Sequence, residues 1–275
     1  MDEVLTGSSI ENSTGNVSRP RYDLNPEELK ELEAELVGSI EEQGVHDGVV
    51  AVWIAPFHRF ADIPRVYESQ YFPEVEELSD QETENSLYLL MVDMRDGVKR
   101  PVHSTIISRQ NVSREGLAID QDEVGGDTTG FYVIDDLIRT GNFTADEFRD
   151  YYESRGFDLS KCISVETNFR IGDKTQKYQG ARIAELSYMA VMKMFFDTQP
   201  EIGHAAVFAS VNRLSALSFR MVGLKSEPLM GRDDFVTSEA ERGLVYHPVC
   251  IPYDGSNHPV FEKMSVPLPE IVYQD

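Results

Sequence analysis

Apolar positions along the chain follow two periods, and the switching between them marks out the elements. Leu29, Leu32, Leu36 and Ile40 recur at helical spacing with acidic residues opposite, which predicts an amphipathic surface helix. Its start is well marked: Asn25 can cap, Pro26 suits the first turn, and Glu28 stands at the capping-box position. Residues 48–54 (GVVAVWI) read as a strand and residues 62–72 as a short helix. The apolar run 87–94 (LYLLMVDM) and the run 101–108 (PVHSTIIS) flank an Asp96-Gly97 turn signal, so they predict a hairpin. Two short helices follow, near 131–139 and 144–154, the second with Thr144 as cap and Glu147 three residues on.

The pattern then changes to strand (163–171), long amphipathic helix (181–196), strand (205–211) and helix (214–222). That order predicts parallel pairing through crossovers. The stretch 244–253 (LVYHPVCIPY) reads as one or two edge strands, because Pro248 and Pro252 lack ladder donors. Residues 1–20, rich in Ser, Asn, Gly and Thr, read as a disordered lead. The six-acid stretch 74–84 and the glycine-containing stretch 111–130 read as loops. These elements predict an α/β (α+β) fold over 21–275 with an N-terminal helical extension.

Composition narrows the function. The net charge of −23 repels polyphosphate, which argues against a nucleic-acid binder and suits a cationic acceptor. No apolar run reaches the ~20 residues that span a bilayer, and the polar, acidic N-terminus does not read as a signal peptide. Cys162 and Cys250 form no CxxC pair, so they read as buried structural thiols, with no metal expected. A cytoplasmic protein is the resulting expectation. No Ser-His-Asp spacing, G-x-S-x-G or HExxH is present, which demotes hydrolase and metalloenzyme readings.

The informative region is 162–224. A strand (CISVETNFRI) leads through GDKTQKYQGAR into a helix. A glycine delivered to a helix N-terminus leaves backbone N–H groups and the positive dipole end open to an anion. Between Asn168 and Arg182, the cations Arg170, Lys174, Lys177 and Arg182 face one acid, Asp173, a local basic patch in an acidic chain. An ordinary exposed loop with some lysines is the other reading of these residues.

The segment FASVNRLSALSFRMVGLKS places Asn212 at a strand end and closes the next helix with Gly223-Leu224. With Ser215, Ala216 and Leu217 between them, and GARIAELSYMAVMKMFF before them, this region resembles the GNAT superfamily of N-acyltransferases. The resemblance spans about 45–250, with motif-level detail only in 162–224. It implies a GNAT-like mixed central sheet with helices on both faces, in which two parallel strands splay apart, and a coenzyme A thioester, acetyl-CoA or a longer acyl-CoA, as co-substrate. Val165, Glu166 and Thr167 would line the slot taken by the pantetheine arm. Lys177, Gln179, Gly180, Ala181 and Arg182 would hold the phosphates. Glu166 would accept the proton of a primary amine acceptor or form a structural pair with Arg170 or another cation, and Asn212 would orient the reactants or cap the following helix. Ser210 could share that orienting task. His103 and His247 could face the cleft or serve as packing residues.

The resemblance has departures. Arg182 stands where the family's loop has a small residue, and Phe219 stands where a tyrosine often serves as acid. Acyl-homoserine-lactone and N-acyl amino acid synthases share the fold. They carry a helical insertion between the third and fourth strands, and a glutamate on the fourth. Glu166-Thr-Asn168-Phe169-Arg170 matches their glutamate but not the following Ser-Arg-Phe order, and Asp62–Phe72 loosely echoes their Arg-x-x-x-Phe entrance. That subset implies an acyl carrier protein as a further possible donor, met by Lys174, Lys177 and Arg182. A non-catalytic module that binds an acyl thioester is the reading from another class.

Overall fold

The computed structural model describes residues 23–71, 86–109, 129–171, 177–178, 181–198, 205–212, 216–217, 219–220, 223–235, 237–239, 244–253 and 270–274. The expected lead at 1–20, the acidic stretch 74–84, most of 111–130, and Gln179, Gly180 and Ser215 lie outside them.

Helix α1 (Pro26–Glu42) begins as the sequence predicts. Asn25 accepts from the amides of Glu27 and Glu28, and Glu28 reaches back to the Asn25 amide at 2.9 Å. Strand β1 (Val49–Ile54) and helix α2 (Asp62–Tyr71) follow, then the hairpin of β2 (Ser86–Asp93) and β3 (Arg100–Arg109). Helices α3 (Tyr132–Arg139) and α4 (Ala145–Ser154) stand between β3 and β4 (Ile163–Arg170), which is the helical insertion expected there. Thr144 and Glu147 form the expected capping box on α4.

The helix expected from Ala181 starts two residues later. Short strands β5 (Lys177–Tyr178) and β6 (Ala181–Arg182) pair antiparallel, and only then does α5 (Ile183–Thr198) begin. Strand β7 (Ala206–Val211) leads to a helical segment that includes 216–217 and 219–220. Its end is a Schellman motif: Leu224 N–H bonds to Phe219 O and Gly223 N–H to Arg220 O, with Gly223 at φ 78°. The short strands β8 (Glu227–Pro228) and β9 (Thr237–Glu239) and the longer strands β10 (Leu244–Pro252) and β11 (Glu270–Gln274) complete the described elements.

The main sheet is mixed, in the order β11-β1-β2-β3-β4-β7-β10-β8, with β9 on β10. β4 and β7 are parallel, joined by the α5 crossover, and β11 runs parallel to β1. β10 is not an edge strand, contrary to the sequence expectation. It pairs with β7 along one side and with β8 and β9 as well. Pro248 and Pro252 are four residues apart, so both withhold a donor from the same side of β10 and leave the other ladder whole.

Helices cover both faces of the sheet. On one, Leu186, Met189, Ala190 and Phe195 of α5 pack on Ala51, Met91, Val165 and Val207. On the other, Leu36 and Ile40 of α1 and Ile63 of α2 pack on Val52, Leu90 and Ile106. That same face carries an aromatic cluster under α3 and α4, with Phe131, Phe148 and Tyr152 against Phe208. Among the described residues, no helix is long and apolar enough to cross a membrane.

Candidate active site

The site begins with a local failure of strand pairing. β4 and β7 pair at Ile163↔Val207, Ser164↔Phe208 and Val165↔Ala209. Beyond Val165, β4 continues to Arg170 and β7 to Val211 without pairing to each other. Their ladder therefore ends in the middle of the sheet.

A β-bulge lies at the same level. β3 pairs Ile106 with Thr167 and Ile107 with Val165, so Glu166 is the extra residue on β4. The bulge reverses the alternation of side chains. Val165 and Phe169 are four apart and would share a face in a regular strand. Instead Val165 packs with α5, and Phe169 packs with α1 and α2 on the opposite face.

Glu166 turns toward α3. The Ser108 hydroxyl donates to Glu166 Oε1, and the Val133 amide donates to Oε2 at 2.9 Å. This second bond has a sequence cause. Phe131, at the N-cap of α3, has no side-chain acceptor to offer, and Glu166 from β4 takes that role beside the positive helix end. Burial raises the Glu166 carboxyl to about 7. The Ser108 and Ser164 hydroxyls and the Val133 amide oppose the rise, and Asp135 adds to it. Asp135 is itself held by the Thr129 amide and hydroxyl at 2.6 and 2.8 Å. A carboxylate near half-ionised at neutral pH, at the end of the β4–β7 ladder, is equipped to accept a proton.

The other predicted residues are placed as follows. Val165 is buried in the α5 core, and Thr167 is half-buried on the α2 side of the bulge. Ser210 lies past the last β4–β7 pair, and its buried Oγ has no hydrogen-bond partner among the described residues. Asn212 directly follows β7, and its carbonyl accepts from Ala216 N at 2.9 Å, so its backbone stands at the helix N-cap position. Lys177 is exposed on β5, and Ala181 and Arg182 form β6 before α5. Phe219 is buried and meets the Tyr188 ring edge to face at 4.9 Å.

His103 faces α5 and is fully buried. Burial first, and then the Arg170 charge, hold it down to about 3, so it is neutral and too weak a base for this work. It stands by a buried polar chain in which Asn168 donates to Thr105 at 3.0 Å and Thr105 meets Ser187 of α5 at 2.7 Å. His247 is exposed on β10 opposite Val211, at the open end of β7. Both cysteines are buried and free.

Ser108 and the Val133 amide escaped the sequence reading. They lie 58 and 33 positions from Glu166, and no local pattern ties them to it. Another such feature is the buried Arg65–Glu68 pair on α2 at 2.8 Å, in which Arg65 also donates to the Tyr88 and Ser86 hydroxyls. Burial raises the Glu68 carboxyl, and Arg65 and the Thr167 hydroxyl oppose that rise.

No protein-family model matches the chain, and no curated protein matches it. Among solved structures it is similar to the CoA-dependent acyl-homoserine lactone synthase BjaI, solved with SAM and isopentyl-CoA and again with MTA. In both cases the identity is 12% and the TM-score 0.48, over 82% of this chain and 94% of that one. It is also similar to the CoA-dependent acyl-homoserine lactone synthase MesI, at 7% identity and a TM-score of 0.42, over 80% of this chain and 98% of that one.

Proposed function

We propose that this protein is an acyltransferase that moves an acyl group from a coenzyme A thioester to a primary amine. The observation that carries the reading is Glu166, held by Ser108 and the α3 amide at the point where β4 and β7 part. In the reaction the amine nitrogen attacks the thioester carbonyl carbon, the carbon–sulfur bond breaks, and an amide forms. Glu166 takes the proton lost by nitrogen, directly or through water, and the departing thiolate is protonated to free coenzyme A. The edge of β4 beyond Val165, past its last pair with β7, offers backbone groups to the amides of the pantetheine arm and to the developing oxyanion. Lys177, Gln179, Gly180, Ala181 and Arg182 hold the phosphates at the start of α5, with the helix dipole behind them. Asn212 and Ser210 orient the reactants from β7.

A second reading, an acyl-homoserine-lactone or N-acyl amino acid synthase supplied by a carrier protein, is favoured by α3 and α4 standing between β3 and β4. It differs in donor and acceptor, not in the role of Glu166.

The test is thermal stabilisation by coenzyme A and acetyl-CoA, followed by thiol release over a panel of primary amines that includes S-adenosylmethionine. A ligand at a hundred times its Kd adds about 2.7 kcal/mol of stability. Stabilisation that Lys177→Glu weakens, with thiol release only when an amine is present, is the expected result. Stabilisation without release under any acceptor would leave a binding module. No stabilisation at all would overturn the CoA-dependent reading.

A further inference from the structure

Where the β4–β7 ladder ends, the two faces of the sheet differ chemically. The hairpin of β5 and β6, with its cations, leads into α5 on one face. Glu166 turns to the other face, toward α3. A thioester whose phosphates rest before α5 and whose carbonyl reacts at Glu166 must therefore pass between β4 and β7 beyond their last pair. Its acyl group emerges on the α3 face.

That face closes immediately. One register step inward from the last β4–β7 pair, Phe208 stands opposite Ser164. Its ring lies 5.2 Å from Phe131 and 5.3 Å from Phe148, and those two are 6.3 Å apart. Phe131, Phe148 and Phe208 are each 0% exposed. Tyr152 backs them, with its ring 5.0 Å from Phe208. Aromatic rings at these separations are in contact and leave no passage for a hydrocarbon chain. In the other direction along the face stands the buried Arg65–Glu68 pair beside Thr167. An alkyl chain has nothing to gain against desolvated charges, and displacing their hydrogen bonds is costly.

We propose that Phe131, Phe148 and Phe208 form the floor of the acyl site and restrict the donor to short acyl groups. Along β4 Glu166 is two residues from the level of Phe208, at most ~6.6 Å at the regular strand rise and less across the bulge, which holds no more than roughly four carbons. This deepens the acyltransferase reading and rests on it.

The experiment is calorimetric binding of free coenzyme A and its acetyl, butyryl, hexanoyl and decanoyl thioesters to the full chain and to Phe208→Leu and Phe131→Leu. The wild-type protein should bind the acetyl and butyryl thioesters at least tenfold more tightly than the decanoyl thioester. Either leucine variant should narrow that gap by about tenfold while binding free coenzyme A as before. The wild-type series decides by itself if a variant fails to fold. Equal affinity for butyryl and decanoyl thioesters would overturn the floor. So would an unchanged chain-length preference in folded variants. Loss of the whole series, free coenzyme A included, would instead defeat the donor reading, and the floor with it.

Discussion

Replacing Glu166 by glutamine separates the energetic cost of this carboxylate from its chemistry. Glutamine keeps an oxygen for the Val133 amide and a polar group for Ser108, but it cannot ionise. In the wild-type protein the Glu166 carboxyl rises from 4.5 to about 7 on folding. The folded state therefore binds this proton more tightly than the unfolded chain does. The stability it contributes is whole below pH 4.5 and is lost as pH rises toward 7. At about 1.36 kcal/mol per unit, the loss across that window is about 3 kcal/mol. Other groups titrate in the same range with other signs. His103, held down to about 3, makes the protein less stable as pH falls below the range of a free histidine. The quantity to measure is therefore the stability of Glu166→Gln minus that of wild type, from urea unfolding at a series of pH values. This difference should climb by about 3 kcal/mol between pH 4.5 and 8 and be level above that. The same variant should lose amine-dependent thiol release at every pH. A flat or falling difference curve would refute the argument, because it would mean that Glu166 is as well solvated folded as unfolded.

Further predictions concern its surroundings. Ser108→Ala removes a donor to the ionised carboxylate, so the rising limb of the pH–rate profile should move up by about one unit, and Ser108→Thr should restore it. Arg65→Leu leaves the buried Glu68 carboxylate without its partner and should cost about 3–5 kcal/mol in urea unfolding, whereas the double variant Arg65→Leu/Glu68→Leu should recover most of that loss. Gly223→Ala places a Cβ at φ 78° and should cost about 1 kcal/mol by the same measurement, with coenzyme A binding unchanged.

Much of the architecture is written locally. Asn25-Pro26 with Glu28, and Thr144 with Glu147, mark two helix starts because capping is a matter of three or four adjacent residues. The hairpin of β2 and β3 follows from two apolar runs and a turn, and the parallel β4–β7 pair from the strand–helix–strand order. Gly223 ends its helix because the left-handed position favours glycine. Glu166 itself stood out in the sequence as a carboxylate on the fourth strand.

What made Glu166 a candidate base was decided elsewhere. Strand register fixes which face a side chain takes, and register depends on partners far along the chain. The bulge opposite Ile106 and Ile107 turns Glu166 toward α3, and nothing in ISVETNFR announces it. Ser108 and the Val133 amide come from separate elements, and burial then sets the pKa. The same holds for β10, which its prolines mark as an edge but whose neighbours enclose it, and for β11, which joins β1 from the far end of the chain. Helix caps, turns and periodicity act over a few bonds, and the sequence determines them alone. Pairing order, face and desolvation are sums over distant contacts, and only the tertiary structure decides them.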